Sequence, residues 1–212
     1  QWQSLCIERN STFDLECGSF LDNSNVLDPA VIAALNTPDC PTQWTLKGSM
    51  QCMFYSSAIA ADLSRWKTSQ VTNLKNTFQD STAFNHPLDS WDTSQVTGLS
   101  GIFANARAFN HPIDSWNTSQ VEDFSYAFSQ AHAFNHPLAS WQTSRATDMR
   151  WMFKNTLNFN QPLSSWQTSS ATNMRYMFQS ATAFNQDISC WDTHNVKDVE
   201  EAGGEFGPWS SY

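Results

Sequence analysis

Hydrophobic and polar positions recur along this chain with a fixed period. Tryptophan stands at Trp66, Trp91, Trp116, Trp141, Trp166 and Trp191, always 25 residues apart. Phe78, Phe103, Phe128, Phe153 and Phe178 follow twelve residues behind a Trp. Phe84, Phe109, Phe134, Phe159 and Phe184 come six residues later, each followed by Asn. A period between about 20 and 50 residues marks a stacked-repeat architecture, and 25 lies in the leucine-rich-repeat range, too short for a propeller blade. Within one unit Val71, Leu74 and Phe78 have the i, i+3, i+7 spacing of one helical face. Thr68-Ser69 just ahead suits an N-cap, and Ser119 with Glu122 has capping-box spacing. The stretch from Phe84 to Trp91, marked by Pro87, is too short for a second helix and predicts a turn into a short strand over 88–91. The expected fold is an α/β solenoid: a right-handed, leucine-rich-repeat-like coil with one short parallel strand and one short helix per 25-residue repeat.

Equal spacing turns each repeated position into a ladder. Stacked Trp and Phe would form the core, so that each coil depends on its neighbours for burial. The Asn ladder (Asn85, Asn110, Asn135, Asn160, Asn185) is expected to bond backbone groups of adjacent coils, because an amide both donates and accepts. The organisation expected is an N-terminal cap over 1–65 with a degenerate repeat near Met53 to Leu63, five repeats over 66–190, and a partial repeat with a cap over 191–212. Asp28-Pro29 opens a helix running to Leu35 in the first of these, and Val199-Glu200-Glu201 continues a final helix position.

Composition narrows the function classes. The 212 residues carry 11 Lys and Arg against 20 Asp and Glu, a net −9, which argues against a nucleic-acid partner. Charged residues are 15% of the chain, where about 25% is usual. Mean hydropathy is nevertheless negative, and no apolar run reaches the roughly 20 residues of a transmembrane segment. Aromatic residues at 14% supply burial enough to exclude a disordered chain.

Cysteine usage addresses compartment. Cys6, Cys17, Cys40 and Cys52 cluster early, none in Cys-x-x-Cys spacing, and predict two disulfides in an oxidising compartment; scattered buried thiols are the alternative. Cys190 stands apart. The opening Gln-Trp-Gln-Ser has no basic start or hydrophobic run, so no signal peptide is expected. Asn10 and Asn117 head glycosylation sequons.

No catalytic, phosphate-loop or dinucleotide motif is present, and the chain is expected to be no enzyme and to bind no cofactor. Asp89 and Asp114 share a position, but later copies carry Ala139 and Ser164 there. His86, His111 and His136 share another, a metal-ligand pattern weakened by Gln161 and Gln186; no metal is expected. A Thr ladder (Thr68, Thr93, Thr118, Thr143, Thr168, Thr193) could order water like an ice-binding array, or cap the helices. The most informative position lies two after Leu74, opposite the core face of an ideal helix. It holds Asn76 and Gly101, then Tyr126, Trp151 and Tyr176, with Arg150, Arg175 and Lys154 beside them. In-register aromatics with arginines have the composition of an interface hot spot.

Copies such as Phe159-Asn-Gln-Pro-Leu-Ser-Ser-Trp-Gln-Thr-Ser-Ser-Ala-Thr-Asn-Met-Arg-Tyr-Met-Phe178 resemble the BspA-like leucine-rich repeats of bacterial surface proteins and lipoproteins, also found in protists and algae. The likeness is strong over 66–195. Leu74, Leu99 and Phe124 replace the family's usual Met. The resemblance implies a secreted or surface, protein-binding, non-enzymatic solenoid, with no catalytic residues to carry over. Function is therefore expected to be recognition, adhesion or scaffolding through a protein partner. The alternatives are a peripheral accessory subunit of a membrane complex facing an oxidising lumen, and an ice- or glycan-binding solenoid.

Overall fold

The computed structural model describes residues 12–13 and 45–197. Three strands, β1 (Thr12–Phe13), β2 (Thr45–Ser49) and β3 (Lys67–Asn73), form a parallel sheet in that order. Beyond β3 the sheet thins to one parallel bridge per unit, along Asn73, Gly98, Asp123, Asp148 and Asn173. Each step of that column is 25 residues, so the repeats lie one on another in register. Residues 45–65 join the same stack: the amides of Met50, Cys52 and Phe54 donate to Asn73, Lys75 and Thr77 carbonyls.

The Ser69–Asp80 segment, expected to be helical, is not. Among the described residues there is no α-helix. Amides alternate in direction instead. Those of Leu74, Asn76, Phe78 and Asp80 donate to Gly98, Ser100, Ile102 and Ala104 carbonyls of the next unit. Those of Thr77, Gln79 and Ser81 donate three residues back, to Leu74, Asn76 and Phe78. Asn76 and Asp80 take φ of +54° and +61°, which breaks any right-handed helix every four residues. Consecutive four-residue turns bring Leu74 and Phe78 inward as a helix would, and the two were indistinguishable from spacing.

The strand expected over 88–91 is also absent. The Trp91 amide donates locally to the Leu88 carbonyl at 3.1 Å, so it cannot join a ladder. This corner is tied between units by side chains. Indole Nε1–H groups of Trp91, Trp116, Trp141, Trp166 and Trp191 donate to carbonyls of Leu63, Leu88, Ile113, Leu138 and Leu163, at 2.9–3.0 Å. All six Trp side chains are buried. Trp91, Trp116 and Trp141 stack at 6.3 and 6.4 Å, within 6° of parallel. The first Phe series stacks at 5.3–5.7 Å from Phe54 to Phe178, the second at 5.9–6.0 Å from Phe84 to Phe184.

Thr68, Thr93, Thr118, Thr143 and Thr168 are buried, and each hydroxyl donates to a carbonyl of the following unit, from Asp92 to Asp192. They neither cap helices nor present an array to water. Glu122 pairs with Arg145 rather than closing a capping box. The predicted helices near Asp28-Pro29 and Val199-Glu200-Glu201 lie outside the described residues, as do Cys6, Cys17, Cys40 and Asn10.

Candidate recognition surface

The bridge column and the turn that follows it place every side chain of the predicted stripe. Asn73, Asp123, Asp148 and Asn173 accept, through Oδ1, the amide two residues on, from Lys75, Ser125, Arg150 and Arg175. The third residue after each bridge position lies in the left-handed region: Asn76, Gly101, Tyr126, Trp151 and Tyr176 have φ of +54°, +62°, +58°, +56° and +54°. Asn and Gly accept this conformation readily; a bulky aromatic residue there costs about 1–2 kcal/mol. The stripe faces outward because a turn corner does, not because of a helical phase.

The structure brings together all six predicted residues. Tyr126 and Trp151 lie 4.6 Å apart at 58°, and Trp151 and Tyr176 5.9 Å apart at 17°. The three are half-buried, while Arg150 and Arg175 are exposed. Lys154 Nζ sits 5.5 Å over the Trp151 ring, and the Arg175 guanidinium 4.8 Å over that of Tyr176 while donating to its hydroxyl at 3.2 Å. Such contacts contribute about 0.5–1 kcal/mol each at exposed sites. Arg150 Nε lies 3.4 Å from Asp148 Oδ2. Burial pushes the Asp148 carboxyl above the usual carboxylate range, and Asp123 adds to this against Arg150. Burial likewise raises the Tyr126 hydroxyl, with Arg150 opposing. Trp151 Nε1 is buried without an acceptor, alone in this among the side-chain nitrogens and oxygens of the described residues.

Sequence reasoning missed Asp123, Asp148, Lys75 and Gly98. The signal for Gly98, Asp123 and Asp148 was the position three before the stripe, which reads Asn, Gly, Asp, Asp and Asn at the same period; Lys75 stands one before the stripe position.

The other candidates resolve into structural parts. His111 and His136 Nε2 lie 3.2 and 3.1 Å from Asn85 and Asn110 carbonyls. Gln161 and Gln186 Nε2 donate to the equivalent Asn135 and Asn160 carbonyls, both at 3.2 Å. A carbonyl only accepts, so Nε2 carries the proton in both histidines. Asn Oδ1 atoms in turn accept the amide of the next Asn along the ladder. Among the described residues no cluster of three or more His, Cys, Asp or Glu could hold a metal ion. Asn117 is exposed, with Oδ1 accepting the Ser119 amide. It borders a hollow of about 460 Å³ whose carboxylate, Asp114, has both oxygens engaged by Ser140. Cys52 is disulfide-bonded; Cys190 is free and exposed. Among the described residues no helix is long and apolar enough to cross a membrane.

A register-stacked repeat with a half-buried aromatic and cationic stripe defines the class. A family described as "Mycoplasma protein of unknown function, DUF285" matches residues 48–156 and 136–202, and the chain belongs to that family. No curated protein and no solved structure matched it.

Proposed function

We propose that this chain is a non-enzymatic recognition scaffold: a right-handed, leucine-rich-repeat-like solenoid of the BspA-like kind, working outside the cytosol and docking a protein partner through the Tyr126, Trp151 and Tyr176 stripe. One observation carries the reading. Three successive units place a bulky aromatic ring where the backbone is left-handed, although Asn76 and Gly101 fill the same position without strain. Strained positions persist where the surrounding structure supports them, and they cluster at binding and catalytic sites. The disulfide at Cys52 supports an oxidising compartment. The same surface would serve a peripheral subunit of a membrane assembly in an oxidising lumen. Ice binding loses its support, since the Thr hydroxyls are engaged within the stack.

The test is a triple variant, Tyr126→Asn with Trp151→Asn and Tyr176→Asn, which copies the residue already used at Asn76. Lost ring contacts and relieved strain of about 1–2 kcal/mol per position offset, so Tm stays close to that of the unmodified chain. Clones selected from a random peptide-display library on the unmodified chain should fail to bind the variant. A Tm loss of the size seen for core aromatics, or clones that bind both proteins equally, overturns the reading.

A further inference from the structure

Resting on the docking role just proposed, we infer that the stripe accepts an acidic peptide segment of its partner. Trp151 and Tyr176 are within 17° of parallel and belong to adjacent stacked units, so their faces are turned along the stack and their rims outward. The faces are also covered: Trp151 lies between Tyr126 and Tyr176 with Lys154 above it, and Tyr176 carries Arg175. A sugar stacks on a bare ring face, which Trp151, the central ring, does not offer. A ring rim is the positive part of the aromatic quadrupole and attracts anions. Three cations belong to this surface on a chain of net charge −9: Lys154 and Arg175, which lie over ring faces, and Arg150, paired with Asp148. Lys154 has no carboxylate within ion-pair distance among the described residues. The buried Trp151 N–H lacks an acceptor, which a buried donor needs. A carboxylate-bearing segment complements all three features: the rims, the excess cation and, after a small rotation of the indole, its N–H.

The experiment uses the full chain with three fluorescein-labelled peptides of equal length, in which Phe and Gly alternate with Glu, Lys or Gln. A sulfated oligosaccharide is the fourth probe. Binding is followed by fluorescence polarisation and by the indole N–H spectrum of ¹⁵N-labelled protein, in which the Trp151 signal is assigned by its loss in Trp151→Phe. The Glu peptide should bind, move the Trp151 signal furthest, and lose about tenfold in affinity in Lys154→Glu and again at high salt. If the Lys or Gln peptide binds as well and moves the same signal, the surface docks protein but the acidic specificity is wrong. Tighter binding of the oligosaccharide at that signal also overturns the inference and assigns the surface to sulfated glycans. If no probe moves the Trp151 signal, the acidic inference falls. The docking role then stands or falls with the display selection above.

Discussion

Lys75 Nζ lies 3.2 Å from Asp123 Oδ2, although 48 residues and one intervening unit separate them. The side chain reaches across because the unit between offers Gly98 at the bridge position. A Cβ on Gly98 would stand 2.9 Å from Asn73 Oδ1 and 3.0 Å from both Cγ and Cε of Lys75. Absence of one side chain thus lets two units that do not touch through the bridge column be tied by charge.

The same geometry predicts the order of two substitutions. Gly98→Ala should displace the Lys75 arm and crowd Asn73, at a cost of about 1–3 kcal/mol. Lys75→Met removes only a half-exposed ion pair, worth about 0–1 kcal/mol. Urea unfolding of both variants checks this; a greater loss in Lys75→Met would mean that the ion pair outweighs the space it crosses.

Trp116 is buried, stacks on Trp91 and Trp141, and donates to the Leu88 carbonyl at 2.9 Å. Trp116→Ala should cost about 3–5 kcal/mol through the cavity it leaves. Trp116→Phe keeps much of the stack but removes one of two donors to the Leu88 carbonyl, which keeps the Trp91 amide, for about 0.5–1.5 kcal/mol. Because each unit is buried by its neighbours, both losses should appear as one cooperative shift in thermal unfolding rather than as a separate early transition.

At the histidine ladder, His136→Gln should change stability by less than about 0.5 kcal/mol, because Gln161 and Gln186 make the same bond from the same position. His136→Leu removes the donor to the Asn110 carbonyl and should cost about 0.5–1.5 kcal/mol. Thermal unfolding of the pair separates them. Calorimetric titration with Zn²⁺ should release no heat of binding; a saturable signal lost in His136→Gln would restore a metal role.

Asp148 sets a pH dependence of defined sign. Its folded pKa is raised, mainly by burial, so ionising it costs more in the folded chain than in the unfolded one. The contribution to stability is complete below the ordinary carboxylate value and is lost as pH rises through the raised one. Asp148→Asn removes that loss and keeps the acceptor for the Arg150 amide, as Asn73 and Asn173 do for Lys75 and Arg175. The variant should be at least as stable as the unmodified chain at neutral pH, with the advantage vanishing in acid. Urea midpoints across that range are the measurement. A variant weaker at neutral pH than in acid would show that the Arg150 ion pair dominates.

Much of this arrangement was legible in residue identity at a fixed spacing. Trp, Phe and Asn recurring every 25 residues already specified stacked units, the ring columns and the amide ladder, because only register stacking gives every copy the same surroundings. Gln standing in for His likewise pointed to a polar hydrogen-bonding group at that position. Backbone conformation was not legible. Val71, Leu74 and Phe78 fit a helix and a run of four-residue turns equally, and nothing local favours a left-handed Tyr126 or Trp151. That choice rests on amides of one unit bonding carbonyls of the next, as Asn76 does to Ser100 and Trp151 to Arg175. Those bonds exist only once neighbouring units are in place, so tertiary packing decided both the turn and the side chains it turns outward.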